Sequence, residues 1–123
     1  MTRQDMLDHA AHWIAAWNRR DVEAVLRSFA EDATFVSPKA QGIIGMTVLE
    51  GKQAIGDYWR RALERIGPLE FRLGHVTCDP EQQELVVFYE AHLGGAAVRA
   101  CELMRFEAER GQVFGEALYG APL

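Results

Sequence analysis

The sequence is short of the features that announce most function classes. It has only two cysteines, Cys78 and Cys101, and they fall in no C-x-x-C spacing. Neither a disulfide framework nor a thiolate metal motif can be read from them, and both are expected to be reduced strand residues. Long apolar runs are missing, since none approaches the ~20 residues of a membrane-spanning helix. Basic clusters are missing beyond Arg19-Arg20 and Arg60-Arg61, and the formal net charge is −5. A nucleic-acid partner needs a basic stripe, so none is expected, and the two arginine pairs read as solvated helix faces. No glycine-rich phosphate loop is present. Asp8 and His12 have i, i+4 spacing, but on a surface face, so no metal site is expected and no cofactor is implied. The first residues, Met1-Thr2-Arg3-Gln4-Asp5, carry no leader-like apolar stretch, and a cytoplasmic location is the expectation.

What is present is enough for a core. The 123 residues are 49% hydrophobic and 25% charged, which fits one globular domain over 1–123. Met6, Ala10, Trp13, Ile14 and Trp17 are spaced for one face of a helix over 5–17. Asp21 is placed to cap a second, shorter helix that turns Val22, Val25, Leu26 and Phe29 inward. Residues 32–36 read as a short strand stopped by Ser37-Pro38. Residues 38–51 read as a long connection with Gly42, Gly45 and Gly51. Its apolar members, Ile43, Ile44, Met46, Val48 and Leu49, imply that it packs over a pocket or against a partner chain. A third helix over 52–65 sets Ile55, Trp59, Ala62, Leu63 and Ile66 on one side and stops at Gly67-Pro68.

From there the hydrophobic period changes from 3.6 to two. Strands are expected at about 69–78, 84–93, 97–108 and 112–119, joined at Asp79-Pro80-Glu81, Gly94-Gly95 and Arg110-Gly111. Helices first and hairpins last define an α+β chain with a mostly antiparallel sheet.

Several local motifs occur in a telling order. Trp13-Ile14-Ala15-Ala16-Trp17-Asn18 precedes Asp21. Phe29-Ala30-Glu31-Asp32-Ala33-Thr34-Phe35 enters the first strand, Gly51-Lys52-Gln53-Ala54-Ile55 starts the third helix, and Met104-Arg105-Phe106 through Tyr119 forms the last hairpin. Together they resemble the nuclear-transport-factor-2-like and SnoaL-like families, relatives of the ketosteroid isomerases. The resemblance implies a cone-shaped fold, with three N-terminal helices packed on a curved sheet around a pocket, and a homodimer formed through the outer sheet face. Leu103, Cys101, Phe114 and Leu118 lie on the outer alternation and suit that contact. The fold hosts many activities and binders, so it implies none by itself. Matched position by position with the steroid isomerases, their general base is replaced by Ser37 and their first-helix phenol by Trp13. Their second oxyanion donor is matched by Glu102, a carboxyl on a longer arm. A serine without an adjacent base does not abstract a carbon-bound proton at neutral pH, which disfavours classical steroid isomerisation.

Glu102 is the most informative residue. Val98, Ala100, Glu102, Met104 and Phe106 alternate onto one strand face, so a single carboxyl sits among apolar side chains. Desolvation there raises its pKa and suits it to donate a hydrogen bond or to act as an acid or base near neutral pH. Equally, it is placed to hydrogen-bond a buried Trp or His and order the core. His92, on the neighbouring strand, either pairs with Glu102 as a catalytic partner or ends its strand half-exposed. His75 is ambiguous in the same way, while His9 and His12 read as helix-surface residues. Trp13 and Trp59 are expected as pocket wall and Trp17 as core. Phe35, Phe71, Met104 and Tyr119 are expected as apolar lining, with Ser37 at the mouth.

Two functions follow. One is cofactor-independent proton-transfer chemistry of isomerase, cyclase or hydrolase type on an apolar or aromatic molecule. The other is non-catalytic binding of such a molecule by a homodimer.

Overall fold

The computed structural model describes every residue, Met1–Leu123. Helix α1, Arg3–Asn18, begins at a reciprocal cap: Asp5 N–H donates to Thr2 Oγ1 (3.1 Å) and Thr2 N–H to Asp5 Oδ2 (2.8 Å). Its inward stripe holds four of the expected side chains, Met6, Ala10, Trp13 and Trp17, together with Ala16, while Ile14 is only half-buried. Helix α2, Val22–Leu26, is capped by Asp21, whose Oδ1 accepts from Ala24 N–H at 3.0 Å. Strand β1, Phe29–Val36, runs into Ser37 and a single 3₁₀ turn, Pro38–Ala40. Helix α3 (Gln41–Ile44), strand β2 (Val48–Glu50) and helix α4 (Lys52–Ile66) follow. Four long strands close the chain: β3 (Leu69–Asp79), β4 (Glu84–Leu93), β5 (Ala96–Glu107) and β6 (Gly111–Pro122).

The strands make one open six-stranded sheet in the order β2-β1-β6-β5-β4-β3. Only the β1–β6 contact is parallel; every other neighbour is antiparallel. Helices α1, α2 and α4 cover one face and share a core of 27 buried residues with it. No helix is long and apolar enough to cross a membrane.

Three expectations need correction. Strand β1 begins at Phe29, not at residue 32, because Phe29 pairs with Gln112 of β6 far along the chain. The stretch 38–51 is not a loop: it holds a 3₁₀ turn, α3 and β2, and β2 pairs with the outer edge of β1 at Leu49↔Phe35. The Arg19-Arg20 pair is not merely a solvated face. Arg20 donates to the Leu63 and Gly67 carbonyls at 2.6 and 2.7 Å. It thus satisfies carbonyls that α4 leaves unpaired at its C-terminal end.

Two close approaches shape the sheet. Gly74 sits at a register shift in β3, where an added Cβ would lie 2.9 Å from the Phe88 carbonyl. Gly111 opens β6 with φ +88°, and a Cβ there would lie 2.4 Å from the Ser28 carbonyl. The latter contact lets Gln112 N–H donate to Ser28 O at 2.7 Å, which joins α2's end to the sheet. At the other end of α1, Asn18 holds β3 by both backbone groups of Phe71. Its Nδ2 donates to the carbonyl (2.9 Å) and its Oδ1 accepts from the N–H (2.7 Å).

Candidate active site

Between the helices and the sheet lies a cavity of ≈ 80 Å³. Its walls come from α1 (Trp13, Trp17), β1 (Phe35), α4 (Tyr58, Trp59, Leu63) and the inward face of β3–β6 (Phe71, Tyr89, Glu102, Tyr119). The 3₁₀ turn and α3 supply Lys39 and Ile43 at one rim. The aromatic wall is continuous. Trp13 meets Phe71 and Tyr89 at centroid distances of 5.6 and 5.3 Å, and Trp59 meets Trp17 and Phe35 at 5.1 and 5.3 Å. Such edge-on and offset contacts hold rings in fixed orientations.

Glu102 is the one carboxyl in this wall. Its residue is 4% exposed and pairs across the sheet with Val87 and Ala117, which give it no polar neighbour. Burial pushes its pKa from 4.5 to about 8. The expected alternative, a hydrogen bond to a buried Trp or His, is not made. Glu102 Oε2 and the Nε1 atoms of Trp13 and Trp17 are all buried without partners. Buried polar atoms without partners are costly and rare, so an orphaned carboxyl beside a cavity marks a place where a ligand can be met.

Around Glu102 stand three phenols, those of Tyr58, Tyr89 and Tyr119. Each is pushed above its usual range by burial first, with the Glu102 charge adding to the rise. The Ser37 hydroxyl beside Tyr58 and Tyr119 pulls both back in part. At neutral pH all three are therefore neutral O–H groups, able to donate but not to act as bases. Lys39 Nζ lies 4.5 Å from the centroid of the Tyr119 ring.

The structure brings together Trp13, Phe35, Ser37, Trp59, Phe71, Glu102 and Tyr119. It does not bring the other two candidates to them. His92 pairs with Ala97 and Glu70 and points away from the cavity, on the opposite face from Tyr89 and Ala91, where Nε2 lies 3.3 Å from Glu90 Oε1. It cannot partner Glu102, because alternation along β4 puts it on the outer face. Met104 faces inward but is fully buried in the core beyond the cavity wall. Ser37 is not at the mouth: it is 2% exposed and lies among the phenols, while Lys39 occupies the rim. Trp17, expected as core, lines the cavity as well. His9 is not a surface residue: its ring packs edge-on against Phe106 at 5.0 Å, and burial holds its pKa down at about 4. His75 stacks on Phe88 at 4.4 Å on the outer face.

Sequence reasoning missed Tyr58, Tyr89 and Lys39. Tyr58 was within reach of the helical pattern, three residues after Ile55 and four before Ala62. Tyr89 lay on the cleaner apolar face of β4 and carried a hydroxyl that a core reading leaves unexplained. Lys39 had no local signal.

An open six-stranded sheet covered on one face by helices is the architecture shared with solved structures of the nuclear-transport-factor-2-like, ketosteroid-isomerase-like cone fold. Within it, the family model of the SnoaL-like domain matches residues 10–114, and the chain belongs to that family. Solved structures agree on the fold. A SnoaL-like protein of unknown function from Burkholderia thailandensis is 29% identical with TM-score 0.85, over 98% of this chain and 99% of that one. A putative SnoaL-like polyketide cyclase from Shewanella denitrificans is 16% identical with TM-score 0.75, over 96% and 92%. A hypothetical protein with a ketosteroid isomerase-like fold from Catenulispora acidiphila, in complex with trimethylamine, is 21% identical with TM-score 0.70, over 91% and 85%. No curated protein matches the sequence.

Proposed function

We propose that the cavity binds a small aromatic or alicyclic carbonyl compound and that Glu102 moves protons on it without a cofactor, in an isomerase- or cyclase-type reaction. The observation that carries this reading is the buried, unpartnered Glu102 carboxyl, held near pKa 8 within an aromatic wall. Both forms of such a group are accessible close to neutral pH, so it serves as acid or base without a partner. In its protonated form it donates to a carbonyl oxygen, and the neutral phenols of Tyr58, Tyr89 and Tyr119 supply further donors nearby. In its ionised form it takes a proton from the carbon next to that carbonyl. The cavity volume of ≈ 80 Å³ disfavours a fused polycycle such as a steroid.

Non-catalytic binding is the second reading. It is favoured by Ser37, which stands where a dedicated base would be needed and leaves Glu102 as the one group in the wall that titrates near neutrality. Deuterium exchange separates the two. Phenylacetone in heavy water, followed by proton NMR, should lose its α-proton signals faster with the protein than without it, and Glu102→Gln should abolish the acceleration. Saturable quenching of tryptophan fluorescence without any exchange supports the binder instead.

A further inference from the structure

The charges of the cavity are unevenly placed. Glu102 sits on the inner wall and is neutral at pH 7, so it contributes no charge to a bound molecule. The one cation in the lining is Lys39. The ion pairs on the surface join Arg19, Lys52, Arg60, Arg72, Arg105 and Arg110 to nearby carboxylates, and Lys39 takes part in none of them. Its ammonium instead lies over Tyr119, whose ring forms the wall.

Its position is also fixed by the backbone. Lys39 lies in a one-turn 3₁₀ segment between Ser37, 2% exposed, and Ala40, fully buried, and Ala40 N–H donates to Ser37 O at 3.2 Å. Pro38 pre-sets the turn's first φ. The side chain is therefore delivered to the rim by a rigid anchor at a constant place. Tyr119 separates the two polar ends of the cavity: the Glu102 charge acts on its phenol, and Lys39 covers its ring.

We propose that Lys39 selects ligands carrying a carboxylate at the rim, on a ring whose opposite end presents a carbonyl to Glu102. This rests on the ligand-cavity reading above and adds to it the ligand's charge and polarity. An ammonium already perched on an aromatic face keeps part of its attraction to the ring while gaining an anion, so the site is preorganised for a carboxylate.

The test compares para-acetylbenzoate with its methyl ester. These share ring and ketone and differ in the charge at the far end. Binding is read from the fluorescence of Trp13, Trp17 and Trp59, all in the wall. Wild-type protein should bind the acid about fivefold more tightly than the ester, the scale of a partly exposed ion pair. The preference should shrink in high salt. Lys39→Gln should bring acid and ester to equal affinity, and Lys39→Glu should reverse the preference. Lys39 is exposed, so neither variant should unfold, and circular dichroism confirms this. Equal binding of acid and ester by wild type overturns the role of Lys39 and leaves the cavity reading standing. The same follows from an acid preference that survives in Lys39→Gln. If neither compound perturbs the tryptophans, the cavity reading itself fails.

Discussion

Two titratable side chains, half-buried His9 and buried Glu102, act on stability in opposite directions as pH changes. His9 is held near pKa 4, below its ordinary 6.5. As pH falls through 6.5 the unfolded chain takes up a proton that the folded chain refuses, so stability drops between about pH 6.5 and 4. At about 1.4 kcal/mol per unit, the full loss is on the order of 3 kcal/mol. Glu102 is raised from 4.5 to about 8, so the unfolded chain ionises first and stability drops as pH rises through that window. The two windows overlap, so the slopes cancel between about pH 4.5 and 6.5: thermal melts should be level there and fall from about pH 6.5 to 8. His9→Leu should extend the alkaline fall down to about pH 4.5, and Glu102→Gln should leave stability rising from about pH 4 to 6.5 and level above it. A wild-type melting temperature that stays level from pH 6 to 8 contradicts the Glu102 assignment. At this scale Glu102 was legible, because one carboxyl interrupted an otherwise apolar alternation. The face of His92 was open on the sequence, and the strand pairing decides it: β4 turns it outward. His9 was misread although it follows Met6 by three residues and precedes Trp13 by four, a spacing that borders it on the inward stripe and brings its ring to Phe106 of β5.

Elements are positioned by a few backbone contacts between distant segments. The Gly111 turn packs directly on Ser28 at positive φ, and that contact seats β6 beside β1. Gly111→Ala should cost about 1–3 kcal/mol from conformation alone, with the 2.4 Å clash adding to it. Urea titration measures this, and a loss under 0.5 kcal/mol would contradict the close approach. Helices α1 and α4 and the four long strands were readable because each carries its own periodicity over many residues, and the short α2 because Asp21 announces its start. The first half of β1 and all of β2 were not. Both exist through pairing with partners far away in the chain, Phe29 with Gln112 and Leu49 with Phe35, and β2 is too short at Val48–Glu50 to show a period. The same shortness hid the 3₁₀ turn that carries Lys39 to the rim.

The whole molecule presents two sheet faces with different uses. The inner one carries the cavity. On the outer one, His75, Phe88, Cys101 and Leu118 form a row across four strands, with Leu118 49% exposed. An apolar row of this kind suits the homodimer proposed from the family resemblance. Sedimentation at micromolar concentration should give twice the chain mass, and Leu118→Lys should return it to the chain mass without lowering the folded fraction. A monomeric wild type removes the dimer and leaves the cavity untouched, because the two faces share strands but not side chains.

The proposed chemistry turns on the protonation of one carboxyl, that of Glu102. Glutamate labelled with carbon-13 at the side-chain carboxyl, with Glu102→Gln to assign the resonance, allows its titration to be followed by NMR. A midpoint close to pH 8 is the predicted result. A midpoint near 4.5 would mean that Glu102 is ionised throughout the neutral range, and the proposed proton donor would not exist.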